Sequence, residues 1–286
     1  MVVYIVSGKE VNNMFFTDKY DFLSNMHPCN VEVCIGMTPY TFKCAESAFQ
    51  ACKCPERVNE FINLDGYQAK KLGRKVQLRP DWEQIKVNCM KAIVKAKFDQ
   101  NTFLGLRLKS LKGDIVEHNT WNDTFWGVCN GTGENHLGEI LMDLRDYYNP
   151  FYCLVVGSRG FNDYQLMCNV LDHLLQNKKY IVIVSGGAKG ADSLAKRYAD
   201  EHPNCRLKVF LANWDKYGKS AGYKRNEQMH LYISAPSDND RGVVAFWDGQ
   251  SKGTAHNFEL SVKYNTPIKI YNYFTGQYIP NPHSGI

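Results

Sequence analysis

Cys153-Leu154-Val155-Val156 runs directly into Gly157-Ser158-Arg159-Gly160-Phe161, and the pattern returns when Ile181-Val182-Ile183-Val184 reaches Gly186-Gly187-Ala188-Lys189-Gly190-Ala191-Asp192. Short, unbroken apolar runs that end in glycine turns read as buried parallel strands, each feeding a helix. Such a turn aims backbone N–H groups and the positive end of a helix dipole at one point, which suits a phosphate. Outward from this pair the chain keeps alternating. A helix is expected over 163–176, with Leu166, Val170, Leu171, Leu174 and Leu175 on one face, then helices over 191–201, around 221–232 and after Thr254. Further strands are expected at 207–211, 243–247 and 267–271. The reading is an α/β, Rossmann-like domain over residues 150–286, a five-stranded parallel sheet with helices on both faces. Ligands of such sheets sit beyond the carboxyl ends of the strands. Both glycine turns, Trp247-Asp248-Gly249 and Ser251-Lys252-Gly253-Thr254 fall there. The expected nucleotide-binding residues are Gly157, Ser158, Arg159, Gly186, Gly187, Gly190, Asp192, Lys219, Arg225, Asn226, Gly253 and Thr254. The plainer alternative is that the glycines cap strands and the cations are solvated.

The chain has 286 residues, 44% of them hydrophobic, enough for two ordinary cores. The pattern changes near Asn149-Pro150, so residues 1–149 are expected to form a separate domain, mainly α within an α+β class. A net charge of +5, with no run of five like charges, is weak support for a nucleic-acid surface and equally compatible with small phosphate ligands. The ten cysteines are scattered without a C-x-x-C pair. Cys29, Cys34, Cys44, Cys52 and Cys54 match no zinc spacing and read as buried free thiols, so no metal is expected. No apolar stretch approaches the roughly 20 residues that span a bilayer. The opening Met1-Val2-Val3-Tyr4-Ile5-Val6 lacks the features of a signal peptide. The expected location is a reducing cytoplasm, that of a host cell if the chain is viral, with no membrane partner.

The first half concentrates reactive side chains. Residues 44–54 read as a helix stopped before Pro55, which places Glu46, Gln50 and Lys53 on one face and Ala45, Ala48, Phe49 and Cys52 on the other. Taken alone, that polar stripe is an ordinary solvated face. A second helix, from Asp81 as cap to about Phe98, reads as scaffold. Residues 113–127 combine a short strand, the carboxylates Glu117 and Asp123, and the indoles Trp121 and Trp126. A carboxylate near indole rings is partly desolvated and holds its proton more strongly, which suits acid–base work, while Trp126 offers a face to a flat heterocycle. The glycine loop 130–138 opens another helix and offers a second phosphate cradle. Tyr20-Asp21-Phe22-Leu23-Ser24-Asn25 reads as a turn that closes over a ligand.

In this order the pieces resemble the NADAR family over residues 14–148. They are Phe22-Leu23-Ser24-Asn25, Glu46-x-x-x-Gln50-x-x-Lys53, Ala69-Lys70 with Gly73-Arg74, and Arg79-Pro80-Asp81-Trp82. Met90, Lys97-Phe98, Glu117 through Asp123-Thr124-Phe125-Trp126-Gly127, and Gly131-x-Gly133-x-Asn135-x-Leu137-Gly138 follow, ending near Arg145. The resemblance implies cleavage of N-glycosidic bonds, either releasing ADP-ribose from guanine bases or splitting riboflavin-pathway intermediates. It makes Glu46, Lys53, Asp123 and Glu117 catalytic candidates, and Asn25, Trp126, Gly127, Asn135 and Phe22 substrate-binding candidates, with no cofactor. The second half, through Gly157-Ser158-Arg159-Gly160-Phe161, Ser185-Gly186-Gly187-Ala188-Lys189-Gly190-Ala191-Asp192, Asn213-Trp214, Arg225-Asn226 and Ser251-Lys252-Gly253-Thr254, resembles the YspA-like branch of the SLOG superfamily. That implies a nucleotide or ADP-ribose-derived ligand. Hydrolytic members carry a Glu soon after the Gly-Thr turn; here Ala255-His256-Asn257-Phe258 intervene before Glu259, which implies binding without hydrolysis.

Two domains that both imply ADP-ribose chemistry point to an ADP-ribosyl glycohydrolase acting on modified guanine, in DNA, RNA or a free nucleotide. Glu46 and Asp123 are expected to share charge stabilisation and protonation of the leaving amine. Lys53 is expected either to form a transient imine with a ring-opened ribose or to pair with a phosphate or carboxylate. The competing readings are a nucleotide-sequestering protein without catalysis and a riboflavin-intermediate hydrolase. The tail Tyr271-Asn272-Tyr273-Phe274 is the expected pairing surface of a homo-oligomer.

Overall fold

A computed structural model describes residues 2–7, 10–12, 19–235 and 240–283, the first two stretches as backbone only. Residues 14–18, where the first resemblance begins, lie outside the described residues. The chain divides into two compact units, one ending at Tyr148 and the other starting at Asn149.

The first unit mixes helices with two small sheets. Strands β1 (Val2–Ser7) and β2 (Glu10–Asn12) join β5 (Asp114–Asn119) and β6 (Val128–Cys129) in the order β2-β1-β5-β6. The hairpin β3 (Val31–Ile35) and β4 (Thr38–Phe42) stands apart as a two-stranded sheet. Among the described residues five helices accompany them, α1 (Ala45–Ala51), α2 (Gly66–Gly73), α3 (Trp82–Gln100), α4 (Thr102–Ser110) and α5 (His136–Tyr148); α1, α3 and α5 pack on strands, α2 on α1, and α4 on α3 and α5. Helix α1 is buried along its whole length, so its Glu46–Gln50 stripe is no solvated face; it ends at Ala51, and Lys53 lies in the turn beyond. Helix α2 starts from a capping box, in which Asp65 accepts from the Gln68 amide and the Gln68 side chain accepts from the Asp65 amide. Asp81 occupies the cap position of α3 without capping it, because Arg79 takes its carboxylate through Nε at 2.6 Å and Nη2 at 3.0 Å.

The core of this unit joins Phe22, Phe42, Phe49, Phe61, Trp82, Ile93 and Phe98 from the hairpin and helices to Leu137, Leu141 and Leu144 of α5. Each large apolar side chain removed from water contributes roughly 1.5–3 kcal/mol before chain entropy is subtracted. Of the five cysteines read as buried thiols, Cys44 and Cys54 are buried, Cys29 and Cys52 are partly exposed and Cys34 is exposed.

The second unit is a six-stranded sheet in the order β12-β11-β10-β7-β8-β9, formed by β7 (Phe151–Gly157), β8 (Ile181–Ser185), β9 (Cys205–Val209), β10 (Arg241–Trp247), β11 (Ile268–Asn272) and β12 (Gln277–Ile279). Five strands are parallel; β12 pairs antiparallel with β11 and corrects the five-stranded expectation. Helices α6 (Tyr164–Leu175), α7 (Ala191–Glu201), α8 (Trp214–Tyr217), α9 (Ala221–Ser234) and α10 (Lys252–Lys263) connect them. Two separate cores flank the sheet, one around Phe161, Met167, Leu171, Tyr198 and Phe246, the other around Val184, Met229, Ile233 and Phe258. Tyr271 and Tyr273 pack against the first of these, which leaves Phe274 as the exposed aromatic of the tail expected to pair copies. Among the described residues no helix is long and apolar enough to cross a membrane.

Candidate functional site

A cavity of about 840 Å³ opens in the first unit between the 21–28 turn, α1, α2 and the segment from β5 to Trp126. Glu46, Lys53, Glu117, Asp123, Asn25 and Trp126, six of the expected site residues, line it. Gln50, Lys70 and Arg74 line it too. All three sit in the quoted motifs, and Gln50 follows Glu46 by one helical turn, the one signal that marked it.

Each acid is held differently. Glu46 is 8% exposed and accepts a hydrogen bond from Gln50 Nε2 at 2.8 Å. Burial raises its proton affinity, the Gln50 bond and the nearby Lys70 and Lys53 oppose that, and Asp123 adds to it. Glu117 is 4% exposed, and burial, reinforced by Asp123 and Glu46, pushes it up to about 8. Asp123 sits in a side-chain-built turn: Asn119 Oδ1 accepts from its amide at 3.0 Å and Asn119 Nδ2 donates to its carbonyl at 2.6 Å. Its carboxylate accepts from the amides of Phe125 at 3.2 Å and Trp126 at 2.9 Å, which fixes its direction. Lys53 lies 5.9 Å from the ring centres of both Phe49 and Trp82, and burial lowers its proton affinity while Glu46 opposes the loss. Phe49 and Trp126 meet edge to face at 5.4 Å and give the cavity an aromatic wall.

Three expected substrate contacts act one layer back. Phe22 is 1% exposed, edge to face with Phe98 at 6.3 Å, so its turn is anchored in the core and is no lid. The anchor is Lys97, fully buried, which donates from Nζ to the carbonyls of Phe22 and Ser24 at 2.7 Å each. Gly127 allows close approach: a Cβ there would stand 2.3 Å from the Glu117 carbonyl oxygen. Asn135 takes the Glu117 amide on Oδ1 at 2.9 Å and donates from Nδ2 to the Ile115 carbonyl at 2.9 Å, tying β5 to the start of α5. The 130–138 loop is no phosphate cradle. The amides of Glu134, His136 and Leu137 donate to the carbonyls of Thr124, Phe125 and Trp126, so they hold the Asp123 segment instead.

The second unit has its own cavity, about 570 Å³, at the carboxyl ends of β7, β8 and β10. Gly157, Arg159, Asp192, Lys219, Arg225, Asn226, Gly253 and Thr254 line it; Ser158, Gly186, Gly187 and Gly190 do not. Ser158 is buried and its Oγ accepts from the Asp248 amide at 3.2 Å. The Gly186 carbonyl accepts from Arg225 Nη1, and a Cβ at Gly186 would overlap that guanidinium. Gly187 and Gly190 hold positive φ, and Gly190 lies against the Ser158 and Arg159 carbonyls. Arg225 also donates from Nε to Asn226 at 3.0 Å and pairs with Asp192 at 3.4 Å. Burial raises Asp192, opposed by Arg225, and lowers Arg225, opposed by Asp192. A Cβ at Gly253 would meet nothing within 4 Å, so open space lies beside its Cα at the head of α10, while its carbonyl accepts from Asn226 and Asn257 Nδ2.

The NADAR domain model matches residues 14–148, and the chain is 32% identical over 152 residues to the N-glycosidase YbiA of Shigella boydii, covering 51% of this chain and 92% of that protein. The chain belongs to the NADAR family. After its NADAR domain it carries a domain of the YspA, cpYpsA-related SLOG family, matched over residues 153–217. The NADAR domain is also 35% identical over 135 residues to a riboflavin biosynthesis protein of Vibrio vulnificus, of which the match spans only 36%, with 45% of this chain. The solution structure of Escherichia coli YbiA aligns at 31% identity and a TM-score of 0.40, covering 46% of this chain and 79% of that one.

Proposed function

We propose that the NADAR-domain cavity cleaves an N-glycosidic bond and releases ADP-ribose from a modified guanine base, in nucleic acid or a free nucleotide. The observation that carries this reading is the convergence of Glu46, Glu117, Asp123 and Lys53 on one aromatic-walled cavity. Breaking a C–N bond at an anomeric carbon builds positive charge on the sugar and negative charge on the leaving nitrogen. Asp123, fixed by the amides of Phe125 and Trp126, stabilises the first. Glu46, whose proton affinity burial raises, donates its proton to the second as the C–N bond breaks. Water then adds to the sugar carbon and the acid is regenerated.

Burial lowers the proton affinity of Lys53, the direction a nucleophilic amine needs, and its role in this reading is to condense with the aldehyde of a ring-opened ribose, with loss of water. Borohydride reduction tests this; a mass shift on Lys53 supports the imine, and its absence under turnover removes it. Lys70 and Arg74 at the same cavity supply positive charge for a diphosphate.

The second cavity is the binding site for an ADP-ribose-like nucleotide, with Arg159 and Lys219 as its exposed cations and free space beside the Gly253 Cα. A riboflavin-pathway intermediate is the second reading of the first cavity, favoured by the identity to the Vibrio protein. Incubation with ADP-ribosylated guanosine and, separately, with the phosphorylated pyrimidine intermediate, followed by chromatography, distinguishes the two. The first reading predicts guanosine and ADP-ribose, and recovery of intact conjugate overturns it.

A further inference from the structure

Two of the ten cysteines come together behind the first cavity. Cys52 is the C-cap of α1, Cys89 lies two turns into α3, and both are partly exposed. Their neighbours on the same helix faces set the pairing. Phe49, three residues before Cys52, meets Trp82, seven residues before Cys89, with ring centres 5.1 Å apart. The Arg79 amide donates to the Lys53 carbonyl at 2.8 Å, which pins the turn beyond α1 to the entry of α3. In this packing the Cys52 thiol donates a hydrogen bond to the Cys89 sulfur. That bond, with the Arg79 charge added, lowers Cys89 to about 7, although burial opposes it. The same bond, with burial, raises Cys52. One sulfur is thus a nucleophile and its neighbour the proton-bearing partner. Burial drives other cysteines away from reactivity, Cys44 and Cys205 to about 11 and Cys153 to about 12.

We propose that Cys52 and Cys89 form an oxidation site, at which a hydroperoxide converts the two thiols to a reversible disulfide. The Cys89 thiolate attacks the terminal oxygen of the hydroperoxide and the O–O bond breaks. The departing hydroxide or alkoxide takes a proton from solvent, and Cys89 is left as a sulfenic acid. The Cys52 sulfur then attacks the Cys89 sulfur, its proton leaves with the hydroxyl group as water, and the S–S bond closes. The peroxide gains two electrons and the thiol pair loses two. In a reducing compartment such a bridge is transient, because a thiol reductant reopens it. Lys53 and Met90, the residues that follow Cys52 and Cys89, both line the first cavity, so the bridge fastens the end of α1 to α3 directly behind that wall. The site is independent of which bond the cavity cleaves.

The test is treatment of the reduced full chain with hydrogen peroxide near neutral pH, capping of free thiols with N-ethylmaleimide, and mass analysis of a digest kept unreduced. The expected product is one peptide pair joined through Cys52 and Cys89, two hydrogens lighter than the free peptides and separated again by dithiothreitol. In Cys52→Ser, whose hydroxyl still donates to Cys89, dimedone should label Cys89 as a trapped sulfenic acid. In Cys89→Ser, oxidation of Cys52 should be at least about 10-fold slower than that of Cys89 in the first variant, since the remaining thiol keeps its proton. Circular dichroism verifies that each variant is folded. A wild type that forms no 52–89 link, a link made instead through the exposed Cys34, or a sulfenic acid that persists on wild-type Cys89 overturns the proposal. Equal oxidation rates in the two folded variants overturn it as well.

Discussion

Asn135 Oδ1 accepts the backbone N–H of Glu117 at 2.9 Å across 18 residues of chain, and through that bond the opening of α5 positions a carboxyl group that lines the first cavity. Asn135 also holds φ +56, a left-handed conformation that asparagine tolerates better than most residues. Asn135→Ala loses both of its bonds to β5 and adds backbone strain. The expected cost is about 2–4 kcal/mol in urea unfolding. Activity should fall further than that of an equally destabilised surface variant. A variant of wild-type stability would show that the clamp does not hold the strand.

Glu117 gives the fold a pH signature. Its carboxyl group titrates near 8 in the folded chain against an ordinary 4.5, so between those values the folded state binds more protons than the unfolded state. Stability from this group is complete below about pH 4.5 and is lost as pH rises through 8, at up to about 1.4 kcal/mol per pH unit. Glu117→Gln should flatten that slope in thermal melts collected from pH 5 to 8.5. An identical slope in the variant would assign it elsewhere.

The rhythm of the second half was legible because β7, β8 and β10 are buried on both faces and read as plain apolar runs. Strand β9 begins two residues before the expected 207–211, and β12 has no counterpart in the apolar pattern, because edge strands expose Arg206, Lys208, Val209, Gln277 and Tyr278 and lose that signature. In the first half, periodicity placed Glu46 and Gln50 on one helix face. It did not reveal that this face lines a cavity, since that depends on α2 and β5, which are remote in sequence. Asn135, Gly127 and Phe22 lie in motif positions yet serve the scaffold. A motif records which residues the site needs without separating those that touch a ligand from those that hold the residues that do.

Lys97 has the opposite sign. Burial lowers its ammonium group to about 8 from the ordinary 10.5, so between these values the folded chain binds fewer protons than the unfolded chain. Its contribution to stability therefore rises as pH climbs from about 8 to 10.5. Lys97→Met should abolish that rise and free the Phe22 and Ser24 carbonyls, which faster amide exchange in the 21–25 turn would report. Unchanged exchange and an unchanged slope would show that Lys97 does not anchor the turn.

Gly73→Ala separates catalysis from stability. Alanine is favoured over glycine within a helix by about 1 kcal/mol, and the three nearest atoms its Cβ would meet all belong to the Gln50 side chain. The expected outcome is a melting temperature within a few degrees of wild type and a fall of at least about 10-fold in kcat/KM, as the Gln50 amide leaves Glu46. Full activity would mean that the Gln50 bond does not orient the acid.

Glu46 is the proposed proton donor for glycosidic-bond cleavage in the NADAR-domain cavity. Mass analysis of ADP-ribosylated guanosine after incubation with wild type and Glu46→Gln tests it most directly. The expected outcome is guanosine and free ADP-ribose from the wild type and a rate lower by about 10²–10⁴-fold in the variant, the range for removal of a general acid. Intact conjugate after incubation with the wild type, or equal rates for the two proteins, would contradict it.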